Sequence, residues 1–397
     1  MQVWNTQWYG VDLQPYFIKT NHYGSGRMIE MKEKICMVGA GNGGFAVGAD
    51  LALAGYRVTI YEDEAFAGNI KELFETKTIT LTGASRNGDA KLYKVTTDLQ
   101  DAIGDVDVII CSMPAFAQEL TARKLAKVVK AGQIVFLCPG ATGGALVYGK
   151  VFHEEGVKDV RICEVQTLPY STRKAGPTAS HTKILVKSLY FAAFPAKDTD
   201  SCYEVIKPMF PALTKVQNVM ETMLNNGNIV SHAPIMVLNA GRIGPDNTTY
   251  MHYKDGINPE VSYVLDAINE ECMQLCRAFG LKETTNADRH FITGYTDALG
   301  KTSYESYHSS YSFMLAKGPT TLNYRYLTED APYSMVPLSS LAAQLGLKTP
   351  LMDAVANLGG ALMQTNYWEN GRTVEDLGLA GMTLEEMKDF LENGYKD

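Results

Sequence analysis

The run from Lys34 to Asp63 constrains this chain more than any other stretch. KICMVG reads as a short buried strand, followed at once by Gly39-Ala40-Gly41-Asn42-Gly43-Gly44. A small-residue helix, FAVGADLALAG, closes at Gly55, and RVTIYED reads as a second strand ending in Glu62 and Asp63. Strand, G-x-G-x-x-G, helix, strand and acid in that order are the fingerprint of a dinucleotide-binding βαβ unit. Gly39 permits the tight turn, Gly41 lets the backbone approach a pyrophosphate, and Gly44 lets the helix pack close to the strand. Asn42 and Gly43 complete a helix N-terminus whose free N–H groups suit a pyrophosphate. Glu62 follows Gly44 by 18 residues, near the spacing at which an acid accepts hydrogen bonds from an adenosine ribose. A glycine-rich turn alone would be weak evidence; here every flanking element agrees. The adjacent acids Glu62 and Asp63 would repel a 2′-phosphate and no arginine follows closely, so NAD is favoured, with NADP left open.

The α/β alternation continues. DVDVIICSMPAF reads as a strand, LTARKLAKVVKAG as a helix ended by Gly132, and QIVFLCPG as another strand. Ligands collect at the carboxyl ends of strands in an open α/β sheet, so the turns there are candidate binding elements. The first holds Pro114, Phe116 and Gln118, with Gln118 either a substrate ligand or a solvated helix start. The second is PGATGGAL, where Thr142 either caps the next helix or helps hold a carboxylate. VRICEVQTLPYSTR follows as a strand and loop, and KILVKSLYFAAF as a last strand.

Pro195 to Asp200 reads as a linker, and helical periods dominate after it. PEVSYVLDAINEECMQLCRAFG is an amphipathic helix begun by Pro259 and ended by Gly280, and MTLEEMKDFLENG carries a capping box at Thr383 and Glu386. With 397 residues, two domains are the default. The expected plan is an α/β fold with an N-terminal extension over residues 1–30, a Rossmann domain over 31–195 and an all-helical domain over 196–397. The active site is then expected in the cleft between the two domains.

Apolar content of 46% against 20% charged places the chain among ordinary globular proteins, and a net charge of −8 argues against a nucleic-acid or anionic-membrane partner. No apolar run reaches the roughly 18 residues that span a bilayer. The N-terminus lacks the layout of a secretory signal. Seven cysteines, an odd number and several inside apolar runs, fit a reducing cytoplasm. Cys272 and Cys276 lie one helical turn apart without a second ligand pair, so no metal site is expected. The oligomeric state is left open, with a homodimer as the candidate.

NNGNIVSHAPIMVLNAGR, from Asn225 to Arg242, draws as a helix with Asn228, His232, Asn239 and Arg242 on one face and apolar residues on another. Pro234 is disruptive inside a helix, so the simpler drawing caps the helix at Ser231 and leaves His232 near its N-terminus. On residues alone, a structural histidine and a catalytic one are equally good readings of His232.

GAGNGG near the start, the His232 stretch, PTTLNYRYLTEDAP from Pro319 to Pro332 and the ending GRTVEDLGLAGMTLEE together resemble the opine dehydrogenases, the octopine/nopaline dehydrogenase family. The resemblance covers roughly Lys32 to Leu391. It implies reductive condensation of an amino acid with a 2-oxo acid, pyruvate by resemblance, using a nicotinamide cofactor. It also implies that His232 is catalytic, that Asp330 orients it and that Arg325 binds a substrate carboxylate. The family's histidine usually stands directly before proline, whereas here Ala233 intervenes. The chemistry suits those residue types: forming and collapsing a carbinolamine needs proton transfer near neutral pH, the work of a histidine. An aspartate on the far ring nitrogen would fix the tautomer, and a raised imidazole pKa is expected from it. Arginine's planar fork grips a carboxylate bidentately. On the bland side, Arg325 and Asp330 simply pair with each other, or Asp330 caps a helix. Two other functions compete. A reductase of the ketopantoate or glycerol-3-phosphate dehydrogenase type shares the plan but generally uses a lysine, which the His232 stretch lacks. A non-catalytic NAD-binding redox sensor would bind cofactor without turnover.

Overall fold

Apolar runs flanked by turn residues build the centre of the molecule, an eight-stranded sheet. The computed structural model describes residues 32–396, and the reading of residues 1–30 lies outside them. In chain order the strands are β1 (Lys34–Val38), β2 (Arg57–Tyr61), β3 (Thr78–Gly83), β4 (Gly88–Lys91), β5 (Lys94–Thr96), β6 (Val108–Cys111), β7 (Ile134–Leu137), β8 (Arg161–Val165), β9 (Tyr170–Gly176), β10 (Ala179–Leu185), β11 (Leu189–Phe194) and β12 (Leu213–Lys215). The main sheet runs β12-β11-β8-β7-β6-β1-β2-β5. All its pairs are parallel except β11 with β8. Strands buried on both faces need continuous apolar sequence, which is why VIIC and IVFL show no polar alternation.

Side chains alternate between two cores. Cys36, Val38, Ile109, Val135 and Leu137 pack with the helices Gln118–Ala126 and Gly144–Glu154 and with the helical part of the chain. Ile35, Met37, Ile110 and Phe136 face the other way, onto the helix Asn42–Leu53 and a second sheet, β4-β3-β10-β9. The α/β-plus-helical plan therefore holds, with one core shared across its two parts. Met220, Ile229, Ile235 and Leu265 of the helical part belong to the same continuous cluster as the sheet.

Three local expectations are corrected. Pro195 to Asp200 is no linker: Ala196–Asp198 is a 3-10 turn and Thr199–Ile206 a helix on the sheet, its Thr199 hydroxyl accepting from Ala193 N–H at 3.1 Å. β12 then adds a parallel edge strand, so the α/β part runs to Lys215 rather than ending at 195. KILVKSLYFAAF is not one strand but the end of β10 and all of β11, in different sheets. The helix read through LTARKLAKVVKAG stops at Ala126. The long helix does run from Pro259 to Phe279 and ends on Gly280 at φ +72°, and the Thr383–Glu386 capping box is formed. All seven cysteines are buried and unpaired. No described helix is long and apolar enough to cross a membrane.

Candidate active site

The glycine turn follows β1 and leads into the helix Asn42–Leu53. Gly39 has φ +97°, and a Cβ there would meet Ser112 O at 2.6 Å. A Cβ on Gly44 would lie 1.8 Å from Gly39 O, so nothing larger than glycine fits without moving the turn. At Gly43 a Cβ would press on the Ser112 hydroxyl, whereas Gly41 faces open space. No side chain caps this helix, which leaves its first N–H groups available to a ligand. Glu62 stands at the end of β2, its carboxylate accepting from Ala40 N–H at 2.9 Å and Asp63 N–H at 3.0 Å. It thus braces the turn while each oxygen keeps a free lone pair. Asn42 Oδ1 accepts from Lys174 N–H at 2.8 Å, tying the turn to β9. These residues fit the adenosine and pyrophosphate portions of a dinucleotide. Lys124 pairs with Asp63 and holds its carboxyl below the usual range, so the two acids do not present the bare negative end expected. Charge at this end does not decide between NAD and NADP.

The histidine sits at a break rather than on a helix face. Short helices span Asn228–Ser231 and Ala233–Leu238, and His232 between them has φ −116° and ψ −81°. Proline at 234 lacks the N–H that a continuous helix would need, so the chain restarts with Pro234 in the first turn, where no such bond is required. The cap position is His232 itself, not Ser231, whose hydroxyl donates to Gly227 O at 2.6 Å. The single polar face is lost with the break. Asn239 is buried, donating to Ile235 O and Gly256 O, and Arg242 turns to Asp255 O.

His232 Nδ1 lies 2.8 Å from Asp330 Oδ2, across 98 residues of sequence. Tyr326 stacks on the imidazole at 3.8 Å between centroids, with His252 behind both rings. Nε2 has no partner among the described residues, and the His232 side chain keeps 13% of its surface exposed. Asp330 stands at the N-terminal boundary of the turn Ala331–Met335 but makes no capping bond there. The raised imidazole pKa expected for His232 is overturned. Burial, and then the Arg325 guanidinium, push it down to about 3. Burial pushes Asp330 up to about 8 against the pull of Arg325. Both partners favour their neutral forms, and the pair titrates as one unit sharing a proton.

Arg325 does not pair with Asp330. Its Nε and Nη2 reach Glu329 Oε2 at 2.9 and 2.8 Å, and the side chain stays 57% exposed. The other oxygen of Glu329 accepts from Ala115 N–H at 2.9 Å, docking the Arg325–Asp330 segment on the turn after β6. Ser112 of that turn touches Gly39, so the histidine pair and the glycine turn share one support.

Gln118 and Thr142 are not where a substrate ligand or a solvated cap would be. Gln118 is buried, its amide donating to Gly140 O at 3.0 Å and accepting from Arg372 at 2.8 Å. Thr142 is fully buried, bonded to Ser334 and Asn226, and Gly143 rather than Thr142 caps the helix Gly144–Glu154. Arg372 also donates to Thr142 O and Ala115 O, clasping both turns from the C-terminal loop. Glu164 adds a second tie, accepting from Ala145 N–H and meeting the Thr222 hydroxyl, with burial lifting its pKa to about 7. Tyr326 and Arg372 lay inside runs singled out by resemblance without being singled out themselves. Glu329 lay in the same run as Tyr326, likewise not singled out, and His252 carried no separate signal.

The family model described as NAD/NADP octopine/nopaline dehydrogenase, alpha-helical domain, matches residues 215–363. That for ketopantoate reductase PanE/ApbA matches residues 35–155. An opine dehydrogenase of Arthrobacter sp. (strain 1C) is 33% identical over 92% of this chain and 100% of its own length. An octopine dehydrogenase solved with NADH and pyruvate superposes with a TM-score of 0.72 at 18% identity, covering 92% of this chain and 99% of that one. A yersinopine dehydrogenase with NADP+ bound gives 0.68 at 15% identity over the same shares. The glycine turn, the shared core and this identity along almost the whole chain place it in the opine dehydrogenase family of NAD(P)-dependent oxidoreductases.

Proposed function

We infer that the protein condenses the amine of an amino acid with a small 2-oxo acid and reduces the product to an N-(carboxyalkyl)amino acid. The observation that carries the reading is the 2.8 Å His232–Asp330 contact, with Nε2 left without a partner among the described residues beside the turn that meets Gly39. Pyruvate is the proposed oxo acid, by likeness to the octopine dehydrogenase solved with it.

Gly39, Gly41, Asn42, Gly43, Gly44 and Glu62 would hold the nicotinamide dinucleotide, which supplies a hydride when bound. As the amine adds to the keto carbon, the Nε2–H of His232 gives its proton to the keto oxygen, and Nε2 then takes up the proton the nitrogen sheds. Returning that proton to the carbinolamine hydroxyl expels it as water and leaves a protonated imine whose carbon is open to hydride. Asp330, neutral when the imidazole is neutral, passes its proton to Nδ1 along the short bond as Nε2 gives one up, and the negative charge this leaves on its carboxylate is held by the Nδ1–H. Arg325, braced by Glu329 through two of its N–H groups, keeps its remaining donors for a substrate carboxylate.

The test is oxidation of NADH and NADPH with pyruvate against a panel of amino acids and a no-amine control, with product mass determined. Amine-dependent oxidation and a product joining both substrates are expected. Oxidation that ignores the amine would instead favour a simple oxo-acid reductase, and cofactor binding without turnover a redox sensor.

A further inference from the structure

An amino acid and a 2-oxo acid bring two carboxylates to one site, and the charges described so far do not balance them. Arg325 is offset by Glu329, and the His232–Asp330 pair is neutral as a unit. One further cation stands nearby. Thr172 of β9 turns inward, its hydroxyl donating to His181 O at 3.0 Å, so the next side chain, Arg173, projects from the opposite face. β9 is fastened to the glycine turn on both sides of this residue, through the Lys174 N–H bond to Asn42 and through Leu168, which would touch a Cβ on Gly43.

Arg173 is exposed and pairs with no carboxylate among the described residues. It makes one side-chain hydrogen bond, Nη1 to Thr172 O at 2.8 Å. Its charge adds to the burial and the Arg325 charge that lower the pKa of His232, and works in the same sense at Tyr326 and Tyr295. The adjacent cation is differently committed: Lys174 Nζ lies 3.7 Å from the centre of the Phe45 ring and donates to Asn69 O at 3.2 Å.

We propose that Arg173 is the second carboxylate ligand of the site, holding from the nucleotide side the substrate carboxylate that Arg325 does not. The proposal rests on the condensation reading above. Its fork retains donors beyond the one given to Thr172, enough for a bidentate grip. It enters from the strand fastened to the glycine turn, whereas Arg325 enters from the segment docked on the turn after β6.

Arg173→Met and Arg173→Lys test it, both at an exposed position where folding is not at stake. Expected for Arg173→Met is a roughly ten- to hundred-fold rise in KM for one carboxylate substrate, the scale of a lost charge-assisted bond. The NADH dissociation constant, read by fluorescence, should stay within about twofold, and Arg173→Lys should recover part of the loss. Comparing an amino acid with its amide identifies the carboxylate: if it belongs to the amino acid, the wild-type preference for the acid collapses in Arg173→Met. If KM for the oxo acid rises instead, the oxo acid is the ligand. Weaker NADH binding alone would make Arg173 a pyrophosphate contact and overturn the proposal, as would no change in any constant. Should the wild type turn over no substrate pair, the condensation reading fails separately. Calorimetric titration of pyruvate into the NADH complex then still decides: weaker binding to Arg173→Met supports the assignment, and equal binding or none to either protein overturns it.

Discussion

The nucleotide half and the catalytic half of this protein are built on different principles. The glycine turn is made of backbone, and a single strand–turn–helix passage forms nearly all of it. The proposed catalytic centre is made of side chains, and its two principal members come from positions 232 and 330. A turn of the first kind tolerates no added atom at its crowded positions, as the 1.8 Å approach at Gly44 illustrates. A centre of the second kind depends on burial and on supports such as Tyr326, Glu329 and the Ala115 N–H.

That contrast can be broken or sharpened by substitution. The largest effect is expected for His232→Ala, which should cost at least about a hundredfold in turnover while leaving NADH affinity little changed. A fall in cofactor affinity of similar size would mean that the halves are not separable. Gly44→Ala should do the reverse, weakening NADH binding by roughly ten- to hundred-fold through the displaced turn, as an equilibrium titration would show.

Asp330→Asn should slow the reductive reaction by roughly tenfold or more and change its pH profile. The Asp330 carboxyl keeps its proton up to about pH 8, so wild-type turnover should fall as pH rises through that value. The variant should lack that limb; an unchanged limb would move its origin elsewhere. The smallest effect is expected at the join between the halves. Glu164 has a folded pKa near 7, above its unfolded value, so its favourable contribution is complete below about pH 4.3 and is lost as pH rises through 7. Its neutral form also suits the site, because the Thr222 hydroxyl can donate to Val219 O while accepting from the carboxyl. Glu164→Gln should therefore match the wild type in Tm near pH 5 and exceed it by a few degrees at pH 8. A parallel pH dependence in both proteins would place the titration in another group.

Much of the nucleotide half was legible because its determinants are local. The strands, the turn glycines and Glu62 follow from spacing alone. The sheet edge was not: LTK of β12 is three residues long and reads as a strand only once β11 is there to receive it. In the catalytic half, resemblance picked out His232 and Asp330, and their contact is formed. Their protonation was misread because spacing carries no information about desolvation, which here outweighs the opposite charge. Gln118 and Thr142 sit at the strand ends where ligands collect. Their partner Arg372 arrives from more than two hundred residues away and occupies both of them.

The break at His232 bears on how this region can vary between relatives. A histidine presented by a helix face would swing by about 100° for every residue inserted upstream. Here the imidazole is set before the following helix begins, and that helix accepts proline at either of its opening positions, since neither uses an N–H. The Ala233 that separates His232 from Pro234 therefore costs the following helix no hydrogen bond.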